Sequence, residues 1–171
     1  MRRESLLAKK LLSFDLSLSN SGWAVFIVKD RKIKLKAYGA IGTKRFAQRS
    51  TGMRLDYISK EIRKIYKEHK PDIVVKERSF SNFRITATQQ IFKVNGVWEH
   101  MTFLADQEDF TELTPSEVKK YVTGNGKAKK PEVTKAVNEY FDLNLKAVDN
   151  DIADAIAVGL AHCMKEGLID E

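Results

Sequence analysis

Two short apolar runs, Leu11-Leu-Ser-Phe14 and Trp23-Ala-Val-Phe-Ile-Val28, flank the punctuation Ser19-Asn-Ser-Gly22. No other feature constrains the fold as much. Each run has the length of a buried strand, and the polar residues between them have the chemistry of a hairpin turn. Asp15 therefore sits at the end of a strand. A carboxylate beside an apolar run is costly to desolvate unless a cation or hydrogen-bond donor meets it. One reading has Asp15 bonding the Ser17 or Ser19 backbone within the turn. The other has it meeting further carboxylates around a cation, and the rest of the chain decides between them.

The following segments alternate between strand and helix patterns. Asp30-Arg31 marks a turn, and Ile33-Lys-Leu-Lys-Ala-Tyr38 alternates apolar with polar as a half-exposed antiparallel strand does, which completes a three-stranded meander. Leu55, Ile58, Ile62 and Ile65 then recur at helical spacing until Pro71. Asp72-Ile-Val-Val-Lys-Glu77 is a second strand ending on a carboxylate, and a helix-to-strand step after a meander implies a parallel crossover. Residues 81–105 are helical in pattern, with Ile91, Val94, Trp98 and Met101 on one stripe that serves either the core or a subunit interface. Residues 110–113 give a fifth strand. Thr114-Pro-Ser-Glu117 is a capping box with proline at the first helical position. Gly124-Asn-Gly126 ends that helix, Pro131 opens another bearing Val133, Val137 and Tyr140, and a last helix starts near Asp149-Asn150. Its Ala153, Ala155, Ala157, Gly159 and Ala161 are small enough to let it lie close against a sheet. The expected class is α/β: a mixed five-stranded sheet, an antiparallel meander plus parallel strands, flanked by helices.

Length and composition fit one domain over residues 1–171, with residues 1–10 a basic leader whose order the pattern does not fix. The single Cys163 excludes an internal disulfide and a zinc-finger pattern, and suits a reducing, intracellular setting. No apolar run reaches the roughly 20 residues of a membrane span, and Met1-Arg-Arg-Glu-Ser5 lacks the apolar core of a signal peptide. A soluble protein is expected. Its 30 Lys and Arg against 23 Asp and Glu leave a net charge of +7, which suits a polyanionic partner.

The first turn of the last helix carries Asp151 and Asp154, which at a spacing of three share one face. Acidic residues also favour helix N-termini for their dipole alone, and Asp149 has the chemistry of a simple cap. If this turn faces the strand ends that carry Asp15 and Glu77, the carboxylates repel one another unless cations neutralise them. Oxygen-only ligands select hard cations, so Mg²⁺ or Mn²⁺ is the expected occupant. Two such ions would activate water and stabilise the leaving oxygen of a phosphodiester displacement.

Asp15 with Ser21-Gly-Trp23, then Val74-Val-Lys-Glu77-Arg-Ser-Phe80, then Thr114 through Lys130 with its Gly124-Asn-Gly126 and lysines, then Asp151-Ile-Ala-Asp154-Ala155 with His162, resemble the RuvC family of Holliday-junction resolvases over nearly the whole chain. The resemblance implies an RNase H-like fold, a homodimer, Mg²⁺ dependence and symmetric paired nicking of four-way and related branched DNA. It puts the metal-binding carboxylates at Asp15, Glu77, Asp151 and Asp154, with His162 on the last helix as a further ligand. It puts basic residues near the scissile phosphate at Lys119 and Lys130 and a base-contacting aromatic at Phe80. Arg78, Arg84, Lys127 and Lys129 complete the candidate DNA contacts. Each has a plainer reading: the lysines as solvated surface charge, Phe80 as core, His162 as a surface histidine. Asp15-Leu-Ser stands where the family has Asp-Pro-Gly, and Lys76 and Arg78 flank Glu77, so the chain resembles divergent bacteriophage members more than the cellular enzyme. A branch-migration motor and a preferred cleavage sequence are therefore not implied. The expected setting is the cytoplasm of a bacterial or phage-infected cell. Two other functions stay open: a catalytically weak protein that only binds branched DNA, and a nuclease acting on RNA in a hybrid, which would read A-form shape and the 2′-hydroxyl.

Overall fold

The computed structural model describes residues 7–80 and 84–170. Its ten main elements are β1 (Lys9–Asp15), β2 (Asn20–Lys29), β3 (Lys32–Gly42), α1 (Thr51–His69), β4 (Ile73–Glu77), α2 (Ile85–Leu104), β5 (Thr111–Leu113), α3 (Pro115–Thr123), α4 (Lys130–Phe141) and α5 (Asn150–Lys165). The strands form one sheet in the order β3-β2-β1-β4-β5. The first three pair antiparallel, whereas β4 joins β1, and β5 joins β4, in parallel. This is the expected mixed sheet. The turn between β2 and β3 is made by Asp30 and Arg31, both at positive φ, as a tight two-residue hairpin requires. Part of the presumed leader belongs to the sheet, since β1 begins at Lys9; residues 1–6 lie outside the described residues. No helix among the described residues is long and apolar enough to cross a membrane.

Alternation along the strands sends successive side chains to opposite faces, and the two faces carry separate cores. Leu12, Phe14, Val25 and Val74 pack with Ile58, Ile62, Val94 and Trp98 beneath α1 and α2. Leu11, Phe26 and Val75 pack with Val133, Val137, Ile156 and Leu160 beneath α4 and α5. Val94 and Trp98, expected either in the core or at an interface, are fully buried in the chain's own core. The neighbouring face of α2 instead exposes Ile85, Phe92 and Phe103. Ser81, Asn82 and Phe83, part of the helix expected from residue 81, lie outside the described residues, and α2 starts at Ile85.

Helix α5 sits closer to the sheet than an ordinary helix can. A Cβ on Gly22 would lie 1.8 Å from the Asp151 carbonyl oxygen, and one on Gly159 would lie 2.2 Å from the Phe26 ring. The buried Ser13 hydroxyl donates to the Ala155 carbonyl at 2.6 Å, tying β1 to the middle of the helix. Two glycines and a hydroxyl thus seat the first turn of α5 against the ends of β1 and β2. Asp149 does not cap α5 with its side chain. It accepts instead from the Lys146 backbone N–H at 2.9 Å, closing the preceding 3-10 turn.

Candidate active site

Asp15 and Glu77 end neighbouring parallel strands, and Phe14 pairs in register with Lys76, so the two carboxylates stand level. Phe14 points toward α1 and α2; by alternation Asp15 points to the face covered by α5. There the glycine-assisted approach of α5 brings Asp151 and Asp154. The turn after Asp15 is closed by other groups: Ser17 N–H donates to Ser21 Oγ at 3.0 Å, and Ser21 Oγ to the Ser17 carbonyl at 2.7 Å. Asn20, at the start of β2, donates from Nδ2 to Asp151 Oδ2 at 2.7 Å and fixes that carboxylate.

The four acids act on one another. Burial first, then the charges of Glu77, Asp154 and Asp151, hold the Asp15 carboxyl protonated well above the usual carboxylate range, with Lys130 pulling the other way. Burial and then Asp154 push Glu77 up to about 7, against Lys119 and Lys130. Burial also raises Asp154, partly offset by Lys130, whose Nζ lies 3.0 Å from Asp154 Oδ2. Burial lowers the Lys130 ammonium, but Asp154, Asp15 and Asp151 outweigh it and hold the proton more tightly. Such a set is short of positive charge. Its all-oxygen donors suit a hard divalent cation, although among the described residues no three His, Cys, Asp or Glu side chains stand close enough together to hold a metal ion as they are.

The other expected residues divide. Lys119 and Lys130 reach the carboxylates electrostatically. Lys127 and Lys129 are exposed on the approach to α4, and Arg84 is exposed at the entry of α2. Phe80 is 56 % exposed rather than core, and with Ser17, Leu18 and Ser19 it lines a groove of about 190 Å³ against α2. Arg78 is exposed and its Nε donates to Glu112 at 3.3 Å. His162 is a correction. It is buried eight residues beyond Asp154, roughly 12 Å along a helix axis, and burial lowers its pKa, with Glu166 and Lys165 as its charged neighbours. Its Nδ1 has no hydrogen-bond partner among the described residues. It stands apart from the carboxylates. Sequence reading missed Asn20, because an asparagine between serines looks only like a turn former.

A family model described as crossover junction endodeoxyribonuclease RuvC matches residues 11–162. The RuvC of Paenarthrobacter aurescens is 33% identical over 92% of this chain and 82% of its own length. That of Dictyoglomus thermophilum is 32% identical over 91% of this chain and 97% of its own length. Among solved structures, Thermus thermophilus RuvC in complex with Holliday junction substrate superposes with a TM-score of 0.81 at 22% identity, covering 92% of this chain and 94% of that one. These relatives are bacterial, and the expected affinity to bacteriophage members finds no support among them.

Proposed function

The chain belongs to the RuvC family of crossover junction endodeoxyribonucleases, and from that premise we propose that it resolves four-way DNA junctions by paired, symmetric nicks with Mg²⁺ or Mn²⁺, two ions per site. The observation that carries this reading is the meeting of Asp15 and Glu77, level on adjacent strand ends, with Asp151 and Asp154 on the face that α5 covers. These four acids would hold the ions. Bound there, divalent cations would lower the pKa of an attacking water and neutralise charge on the scissile phosphate. The chain's own groups do the rest. Asn20 keeps Asp151 from turning away. Lys130, paired to Asp154 at 3.0 Å, would offer its ammonium to a phosphate oxygen of bound DNA. Lys119 adds positive charge on the Glu77 side. Phe80 offers a ring face to an unstacked base, and Arg78, Arg84, Lys127 and Lys129 offer charge to the arms. The unpaired, buried Cys163 suits a reducing cytoplasm.

Four-way, three-way and linear DNA, together with an RNA–DNA hybrid, incubated with the protein and Mg²⁺, test the reading. Cleavage of the four-way junction in preference to linear DNA is expected. Preferential cutting of the hybrid would replace this function with an RNase H-type activity, and junction binding without cutting in Mg²⁺ or Mn²⁺ would leave a binding protein.

A further inference from the structure

On the reverse side of the Glu77 strand lies a buried ammonium group. Lys76 is 2 % exposed, and alternation turns it to the α2 face while Glu77 faces α5. Its Nζ donates to Asn95 Oδ1 of α2 at 2.9 Å and to Glu112 Oε1 of β5. It also lies 5.5 Å from the ring centroid of Trp98 and 5.8 Å from that of Phe110. Both hydrogen-bond partners then reach forward to the segment that follows Glu77. Asn95 Nδ2 donates to Ser79 Oγ at 2.8 Å, and Glu112 Oε2 accepts from Arg78 Nε at 3.3 Å. Arg78 is further held by its backbone N–H, which donates to the Leu113 carbonyl at 2.7 Å.

A lysine is a costly way to fill such a place. Desolvating an ammonium costs several kcal/mol, and an apolar side chain of similar length packs against two aromatic rings at no such cost. What the ammonium adds is direction: apolar contacts between a strand and a helix slide, whereas hydrogen bonds to Asn95 and Glu112 fix β4, β5 and α2 in one register. The residues so fixed are Arg78, Ser79 and, next in the chain, Phe80, which flank Glu77 on the side where DNA would lie.

We propose that Lys76 is a positioning residue for the cleavage reaction: through Asn95 to Ser79, and through Glu112 to Arg78, it sets the placement of the Arg78–Phe80 segment and hence which phosphate of the DNA strand meets the carboxylates. The inference rests on the junction-cleaving reading above. It makes the position of the cut a readout that a merely structural role would leave alone.

Lys76→Met keeps an unbranched stem between Trp98 and Phe110 and removes the ammonium. Ser79→Ala removes only the far end of the relay, on a partly exposed residue, so the fold is not at risk. Each variant is compared with the wild type on a four-way junction, with cut positions mapped to the nucleotide, single-turnover rates at saturating protein, junction affinity and melting temperature. Both variants should bind within about twofold of the wild type and melt cooperatively. Both should spread their cuts over neighbouring phosphates and lose roughly 10- to 100-fold in rate for Lys76→Met, less for Ser79→Ala, the scale expected for a displacement of about 1 Å. Cutting at the wild-type phosphate alone, at the wild-type rate, in a folded Lys76→Met protein overturns the proposal. If that variant does not fold, an unchanged cut pattern and rate in Ser79→Ala overturns it. A wild type that cuts no branched DNA would be the failure of the functional reading instead, visible before either variant is compared.

Discussion

At the scale of single residues, burial and the repulsion of neighbouring acids leave Asp15, Glu77 and Asp154 holding protons that exposed acids would have lost. For Glu77 the folded-state pKa of about 7 stands above its ordinary 4.5, so between these values the native state keeps a proton that the unfolded chain releases. Stability then falls as pH rises through this window, and Asp15, shifted in the same direction, adds to the loss. In EDTA the melting temperature of the wild type relative to Glu77→Gln should decline from pH 5 to pH 8, with Glu77 contributing roughly 2 to 3 kcal/mol; His69 and His162, whose pKa values burial lowers, act in the opposite sense but equally in both proteins. Mg²⁺ bound there would compete with those protons, so the ion should raise the melting temperature strongly at pH 8 and little at pH 5. A difference between the two proteins that is flat or rises over this range contradicts the electrostatic picture of the site. If the same acids hold the metal as proposed, Asp15→Asn, Glu77→Gln, Asp151→Asn and Asp154→Asn should each lower cleavage roughly a hundredfold or more. Junction affinity should hold or rise, because each change removes a carboxyl group that would face phosphates as a negative charge whenever it is ionised. Cutting near the wild-type rate by the Asp15 or Glu77 variant would remove that carboxylate from the machinery.

At the scale of elements, the close seat of α5 carries the site, and it depends on an absent side chain. Adding a methyl at Gly22 forces the first turn of α5 away from the sheet, since the new Cβ would overlap the Asp151 carbonyl. Overpacking of this kind costs roughly 1 to 3 kcal/mol, and here it also moves Asp151 off Asn20. Gly22→Ala should therefore lower the melting temperature and lose cleavage beyond what its remaining folded fraction explains, as single-turnover rates normalised to folded protein would reveal. Full activity per folded molecule would mean that α5 finds another seat. The elements themselves were legible where local chemistry decides them. The Thr114 and Glu117 capping box forms as its spacing predicts, with Thr114 Oγ1 accepting from the Glu117 N–H at 3.2 Å and the Glu117 carboxylate accepting from the Thr114 N–H at 2.8 Å. Gly124, at φ 78, ends the helix. Asp15 and Glu77 were legible as candidates because charge next to apolar runs is costly and so conspicuous, and Asp151 and Asp154 because a spacing of three puts them on one face of a helix. Lys76 was not, because one lysine inside an apolar run looks like an edge residue until Asn95 and Glu112, both distant in sequence, are seen to meet it. His162 entered through the family resemblance rather than through spacing; eight residues beyond Asp154 and buried, it has Glu166 and Lys165 rather than the four acids as its charged neighbours.

At the scale of the whole molecule, α2 is apolar on both faces, and one face is spoken for. Val94 and Trp98 fill the core, whereas Ile85, Gln89, Phe92, Gly96, Glu99 and Phe103 are exposed at alternating spacings of four and three. That rhythm is the seam of two helices packed side by side. At Gly96 a Cβ would meet nothing within 4 Å, so the backbone is open to close approach by a second helix. Exposed aromatic residues in such a row mark an interaction surface, and a second copy of the chain would supply the matching row through a two-fold axis. The wild type should therefore sediment as a dimer at micromolar concentration, and Phe92→Glu, which places two like charges near the axis, as a monomer. Two sites in one complex would nick both strands in a single binding event, so a cruciform plasmid should go directly to linear product with the wild type and accumulate singly nicked circles with Phe92→Glu. Because Phe92 lies outside both cores, the variant's melting curve should stay close to that of its monomer at every protein concentration. A monomeric mass for the wild type, with and without junction, together with nicked circles as its main product, would leave a nickase that acts on one strand at a time.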